Sequence, residues 1–271
     1  APGLSGQSIQ LESTLLLTNS CSIDASGLPG GIQLLGSYRV LEVAAGCTAE
    51  LRSLALRNGF DTEKGAGIFN QGSLTLDRCT IADNGGTGEI ITSSGGGIYN
   101  ISQLTLNQCT IAGNRAHAGA GIYNHPSGTM VLNQCTISGN ESSFASGGIT
   151  SYGNLTLFNC IVAGNQGGGV YDPDLTSGSL TTTGTNLIGG NPQLAGLGNY
   201  GGPTPTLPPL PGSPAIDTGA DSATNSFTID QRGGWRRSGG GVDIGAVEVV
   251  AASGVPAVLG KPTRVANGAL Q

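Results

Sequence analysis

Residue columns that recur at a fixed spacing along the middle of the chain limit what it can fold into. Residues 65–70 read GAGIFN and are followed by Leu74-Thr75-Leu76, Cys79-Thr80-Ile81 and Asn84. Residues 95–100 (GGGIYN) lead to Leu104-Thr105-Leu106, Cys109-Thr110-Ile111 and Asn114. Residues 119–124 (GAGIYN) lead to Met130-Val131-Leu132, Cys135-Thr136-Ile137 and Asn140. A fourth unit opens at Gly147-Gly148-Ile149 and carries Leu155-Thr156-Leu157, Cys160-Ile161-Val162 and Asn165. The cysteines step by 30, 26 and 25 residues, and the asparagines behind them step identically. Self-similarity at a period of about 20–50 residues marks a solenoid.

Each unit holds short apolar runs separated by Gly, Asn and Ser. Runs of this length that alternate in and out are strands, and the turn residues tolerate positive φ or bond their own backbone. Stacked units place equivalent strands side by side in parallel, at about 4.8 Å per coil. Leucine-rich repeats need a helical half and propeller blades need antiparallel hairpins; neither pattern is present. The expected fold is an all-β, right-handed parallel β-helix.

The N-terminal part follows less regularly. Ile9-Gln10-Leu11, Leu15-Leu16-Leu17, Cys21-Ser22-Ile23, Ile32-Gln33-Leu34, Val40-Leu41-Glu42-Val43 and residues 51–56 read as strands, and Cys21 and Cys47 are 26 apart, one coil. Leu180-Thr181-Thr182 and Asn186-Leu187-Ile188 read as one further coil. We expect about eight coils of about 25 residues between Ile9 and Ile188, a rod of about 40 Å. The expected division is a β-helix over 1–200, a Pro-rich strap and C-terminal cap over 201–250, and a linker or the start of a further module over 251–271.

Composition narrows the partners. Only 10% of residues are charged and 48 are Gly, against about 25% charged in an ordinary domain. With 11 Lys+Arg and a net charge of −6, no basic stripe is available to neutralise phosphates, so nucleic acid is not an expected partner. No stretch reaches the ~18 consecutive apolar residues of a membrane-spanning helix. The only methionine is Met130, so we read the chain as a processed or excised part of a longer product, which leaves secretion open.

Cys79, Cys109, Cys135 and Cys160 form an inward column with three readings: free thiols, disulfides or metal ligands. Parallel in-register Cβ atoms stay about 4.8 Å apart, whereas a relaxed disulfide wants about 3.8 Å. Metal pairs usually have the short C-x₂₋₄-C spacing. Free buried thiols are therefore the favoured reading. Asn84, Asn114, Asn140 and Asn165 form one candidate ladder; Asn70, Asn100 and Asn124 form another, ending where Ser151 takes the place. Amides at a bend can bond both the turn backbone and the next coil; the alternative is a ligand-binding stripe. Phe69, Tyr99 and Tyr123 read as an aromatic stack that, facing outward, would also serve as a sugar platform. Asn100, Asn140 and Asn154 head N-x-S/T sequons, but glycosylation at Asn100 or Asn140 would compete with stacking.

From Gly201 the texture changes to a proline-rich run, residues 201–211, which cannot donate to a central ladder and reads as an extended strap. Beyond it, Asp217, Asp230, Arg232, Arg236, Arg237, Asp243 and Glu248 concentrate opposite charges. The expected role is Arg–carboxylate pairing that locks a cap; a catalytic carboxylate pair is the alternative.

The Gly-Gly/Ala-Gly-Ile and Ile-x-x-Asn repeats resemble the GGA[ILV] and FxxN repeats of polymorphic outer-membrane proteins and related bacterial surface β-helices, with Ile81, Ile111, Ile137 and Val162 in place of the Phe. The series SPAIDTG (213–219), DQRG (230–233) and VDIGAVE (242–248) resembles the end of large secreted bacterial proteins grouped as choice-of-anchor Q domains. Together these cover roughly residues 65–248. The resemblance implies an exported, cell-surface protein of adhesive or structural role, without catalytic residues or cofactors to transfer.

Parallel β-helices also host polysaccharide lyases and hydrolases, so fold alone does not assign function. Those enzymes cluster acids on one strand face. Here Asp77, Asp83, Glu89, Glu141, Asp172 and Asp174 do not recur in one column. Asp172-Pro173-Asp174 is the closest pair, a weak candidate for Ca²⁺, which wants six or more oxygens. His117 and His125 flank a repeat turn without a partner Ser or Cys pattern, and read as surface loop residues. The leading expectation is a non-catalytic structural or adhesive surface protein, self-assembling end to end through open strand edges. Carbohydrate binding at Tyr99 and Tyr123, and a lyase or hydrolase acting on a uronate polymer, are the alternatives.

Overall fold

The computed structural model describes residues 2–85, 93–169 and 172–250; the expected 251–271 linker and Glu89 lie outside them. The chain winds through three strand positions per turn. Face A is an eight-stranded parallel sheet of Gln7–Leu11, Ile32–Gly36, Leu54–Arg57, Thr80–Ala82, Thr110–Ala112, Thr136–Ser138, Ile161–Val162 and Leu187–Ile188. Face B follows with Leu15–Leu17, Leu41–Val43, Ile68–Asn70, Ile98–Asn100 and Ile122–Asn124. Face C holds Cys21–Asp24, Thr48–Arg52, Ser73–Asp77, Gln103–Asn107 and Thr129–Asn133. The long strands Ile149–Phe158 and Leu175–Thr183 run through the B-to-C bend and join these two faces into one sheet.

Register follows the sequence repeat. Ile68, Ile98, Ile122 and Ile149 stack as neighbours, as do Leu76, Leu106, Leu132 and Leu157, and Ile81, Ile111, Ile137 and Val162. All of these are buried. Strands such as Ser73–Asp77 alternate buried and half-buried residues, the period-2 pattern that points one set inward. A one-residue slip would turn that whole set out to solvent. One continuous core results.

The corner between faces C and A is built from backbone conformation. Ser53, Arg78, Gln108, Gln134, Asn159 and Gly184 occupy equivalent positions, and each has positive φ, between 50° and 62°. Left-handed conformation is uncommon for non-glycine residues; here the ladders on both sides hold it in place. It also turns the following residue, Cys79 and its equivalents, inward.

Eight strands on face A are separated by seven turns, about one fewer than expected, and seven steps of about 4.8 Å make a rod of about 34 Å. The N-terminal cysteines are not one coil apart in the fold. Cys21 pairs with Ala49, so Cys47 lies ahead of the matching strand. Because Thr80 pairs with Ala55, Leu54 takes the place below Cys79.

The segment after residue 190 lies along face A and does not cap an end. The outward column Thr80, Thr110, Thr136 and Ile161 is buried beneath it. Thr80 Oγ1 donates to Pro205 O at 2.6 Å, Thr110 Oγ1 to Gln231 Oε1 at 2.6 Å, and Ala246 N to Thr136 Oγ1 at 3.0 Å. Ile161, Ala163, Ala215 and Ile244 form a second apolar cluster under it. Near its start Pro203 lies so close to Gly31 (φ +63°) that a Cβ there would stand 1.7 Å from the Pro203 carbonyl oxygen. Only glycine fits both the space and the backbone.

Candidate functional site

The first asparagine column is a hydrogen-bonded ladder. Asn84 Nδ2 donates to Asn114 Oδ1, Asn114 Nδ2 to Asn140 Oδ1 and Asn140 Nδ2 to Asn165 Oδ1, each at 2.9 Å. The same oxygens accept the backbone N–H of the preceding asparagine at 3.1 Å. Each Nδ2 also reaches a strand carbonyl, of Leu56, Ile81, Ile111 or Ile137. Amides at these buried bends therefore satisfy backbone groups that water cannot reach. Asp174, outside the repeat, forms the last rung: its Oδ1 accepts from both Asn165 N and Asn165 Nδ2. Asp172 accepts from the backbone N–H groups of Asp174 and Leu175, so both carboxylates of the candidate Ca²⁺ loop serve the fold.

The second column runs the same way. Asn70 Nδ2 donates to Asn100 Oδ1 at 2.7 Å, Asn100 Nδ2 to Asn124 Oδ1 at 2.8 Å, and Asn124 Nδ2 to Ser151 Oγ at 3.1 Å. Of the sequon asparagines, Asn100 and Asn140 are fully buried and Asn154 is exposed.

All six cysteines are free thiols. Cys79, Cys109, Cys135 and Cys160 are fully buried, each S–H donating to strand carbonyls such as Leu51 O at 3.4 Å and Leu132 O at 3.3 Å. Burial pushes the Cys79, Cys109 and Cys135 thiols well above their ordinary range, which removes the reactive thiolate.

On the outer side of face B, Tyr99 and Tyr123 stack at 4.9 Å and 11°, Phe69 meets Tyr99 edge-on at 5.8 Å, and Tyr152 extends the column at 5.8 Å from Tyr123. The Arg39 guanidinium and Lys64 ammonium lie over Phe69, each 5.1 Å from its centroid. Rings stacked on one another cover each other's faces, and Tyr99 and Tyr123 are half-buried. A flat sugar platform needs free faces, and this column is foremost a packing ladder. His125 lies 6.5 Å from Tyr99, and His117 stacks on Phe144 at 4.8 Å.

The acids on the coils are spread over separate structural contacts. Asp77 pairs with Arg52 and Arg78, Asp83 with Arg57, and Glu141 with Arg115. Among the described residues no group of three His, Cys, Asp or Glu side chains could hold a metal ion.

The charges of the C-terminal segment pair differently from expectation. Arg232 does bond Asp230, at 3.0 Å, but Arg237 reaches the exposed Asp221. Asp217, Asp243 and Glu248 take backbone N–H groups instead: Asp217 from Gly241, Asp243 from Asp217 and Val249, Glu248 from Ser238 and Asp243. The segment holds only isolated antiparallel bridges, and these side-chain carboxyl oxygens satisfy backbone donors that no strand pairs. Arg236 is fully buried and donates to the Asp243 and Gly245 carbonyls. Gln231, which no charge pattern singles out, fastens the segment to the coils through Cys79 O and Thr80 Oγ1, and braces it internally through Thr204 Oγ1.

The family model described as right handed beta helix region matches residues 21–187, and the chain belongs to this family. No curated protein and no solved structure matches the chain. The fold is thus a right-handed β-helix, an architecture that serves enzymes and non-enzymes alike.

Proposed function

We propose that this chain is the non-catalytic rod of a secreted bacterial surface protein, structural and adhesive in role. The observation that carries this reading is the ladder of Asn84, Asn114, Asn140, Asn165 and Asp174, which commits the polar interior and a carboxylate to rigidity. Asp77, Asp83 and Glu141 are each engaged by arginine, and Glu50, which shares the outer side of face C with Asp77, is held by Arg52, so none of these acids is left free of a cation to act as acid or base. The fully buried thiols of Cys79, Cys109, Cys135 and Cys160 tolerate an oxidising exterior, because oxidation requires access. The resemblance to polymorphic outer-membrane repeats and choice-of-anchor ends supports the placement at a cell surface. The test is incubation with polygalacturonate, alginate and neutral glucans. The reading expects no new reducing ends and no unsaturated products; turnover of any of them overturns it.

End-to-end assembly is the second part of the reading. The strands Gln7–Leu11, Leu15–Leu17 and Cys21–Asp24 pair on one side only, and Ile9 and Leu16 there are 38% and 52% exposed. At the opposite end Leu180 and Ile188 are exposed as well. A head-to-tail contact between unlike ends repeats into a filament. Electron microscopy of purified chain should show filaments; single rods at all concentrations overturn assembly and leave adhesion standing.

A further inference from the structure

A cleft runs between the outer side of face C and residues 226–229, and encloses about 290 Å³. Its floor carries Glu50, Arg52, Asp77, Arg78 and Asn107, and Phe227 stands in the opposite wall. The volume lies just under the range of about 300–1,000 Å³ for small-molecule sites, which suits a short ligand. We propose that this cleft binds a short, uncharged saccharide.

Charge on the floor is balanced and mutually oriented. Arg52 pairs with Glu50 and lies 3.7 Å from Asp77, and Arg78 lies 3.4 Å from the same carboxylate. Asn133 Nδ2 donates to Asn107 Oδ1 at 2.9 Å and fixes that amide. Carboxylates accept hydroxyl protons, while guanidinium groups donate in a planar fork that matches neighbouring hydroxyl oxygens. Glu50 and Asp77 balance Arg52 and Arg78 on the floor, and Asp24, in register beside Arg52, adds one further carboxylate, so an anionic ligand is repelled, whereas a polyol bridges the pairs intact.

The second, independent observation is Trp235. The hairpin that forms the wall is held by Asp230 N donating to Gly234 O at 2.8 Å and Arg236 N to Thr228 O at 2.9 Å. These bonds bracket the antiparallel bridge between Ile229 and Trp235, making it a non-hydrogen-bonded pair whose side chains stand close together on one face of the ribbon. Ile229 lines the cleft, and Trp235 is its cross-strand neighbour in the hairpin that forms the wall. Trp235 is 78% exposed, the most exposed large apolar side chain among the described residues. An open indole one cross-strand pair from a polar floor supplies the combination that grips a sugar ring, apolar face on the ring and hydroxyls on the floor. Gln108, which donates to Ile229 O, ties this wall to the coils.

The inference deepens the adhesive part of the proposed function and rests on it, while the rod and its non-catalytic character are tested separately by microscopy and turnover. Trp235 is the only tryptophan, so its fluorescence reports on the hairpin of the wall. The whole chain is titrated with glucose, galactose, mannose, N-acetylglucosamine, cellobiose, lactose and maltose, and with glucuronate and galacturonate. A saturable emission change with at least one neutral sugar, stronger than with either uronate, is the expected result. By calorimetry, Trp235→Ala and Glu50→Gln should each weaken that sugar by about ten-fold with circular dichroism unchanged, and Tyr123→Ala on face B should leave it unaltered. No binding by any sugar overturns the proposal, and tighter binding of a uronate overturns its uncharged ligand. Affinity that survives both cleft variants, or disappears in Tyr123→Ala, moves the site elsewhere.

Discussion

Asp174 occupies the rung that a fifth asparagine would hold: its Oδ1 lies 2.8 Å from both the backbone nitrogen and Nδ2 of Asn165. The ladder thus ends on an acceptor-only group, so no amide N–H is left pointing past the last coil. Replacing Asp174 by Ala strands two buried donors and should cost about 1–3 kcal/mol. Asp174→Asn keeps an acceptor at that place and should cost less. Urea unfolding midpoints at unchanged m would order the two; equal loss in both would show that the rung does not depend on its acceptor.

Asn114 stands in mid-ladder, accepting from Asn84 and donating to Asn140 Oδ1 and Ile81 O. Asn114→Ala leaves partners on both neighbouring coils unsatisfied, with an expected loss of about 1–3 kcal/mol in chemical denaturation. A change of only a few tenths would place the amide's bonds in competition with water after all.

The thiol column predicts silence toward a soluble disulfide reagent. In the native protein, the half-buried Cys21 should be the first to react, and Cys79, Cys109, Cys135 and Cys160 only on unfolding. Denatured but unreduced protein should titrate all six thiols; four or fewer would reveal a disulfide.

Stability should fall as the solution becomes more alkaline across the neutral range. Burial pushes the Glu248 carboxyl from 4.5 up to about 8, against the backbone N–H groups of Asp243 and Ser238 that favour its ionised form, and burial raises Asp243 in the same direction. A group with its folded value above its unfolded one holds a proton that the unfolded chain has released. Its contribution is complete below pH 4.5 and lost as pH rises through about 8. Thermal midpoints at pH 5, 6, 7 and 8 should decline, with a shallower slope in Glu248→Gln. A midpoint that rises over this interval contradicts the assignment.

How much of this was legible in the sequence differs by region. The coils from Gly65 to Asn165 could be read because inward positions demand the same residue type in each turn, so Ile68, Ile98 and Ile122 repeat visibly. The C-to-A corner left no such trace: Ser53, Arg78, Gln108, Gln134 and Asn159 share a positive φ but no side-chain chemistry, since the backbone alone makes the bend. Cys21 and Cys47 misled for the opposite reason, matching in type and spacing while Cys21 pairs with Ala49. Asp174 was hidden because it serves the ladder from a loop outside the repeat. The seat of the C-terminal segment was hidden by distance along the chain: Gln231 and Cys79 are 152 residues apart, and Thr80, Thr110 and Thr136 look like ordinary outward strand residues until something lies over them.

That segment changes how the stack behaves as a material. A bare solenoid couples each coil only to its neighbours and can fray one coil at a time, as a one-dimensional chain of weak links. From Pro203 beside Gly31 to Ile244 over Ile161, the C-terminal residues cross those links like a splint, so opening one coil in mid-rod strains contacts on several others. Force or heat applied to the end of the molecule is therefore shared along its length, which turns a zipper into a beam.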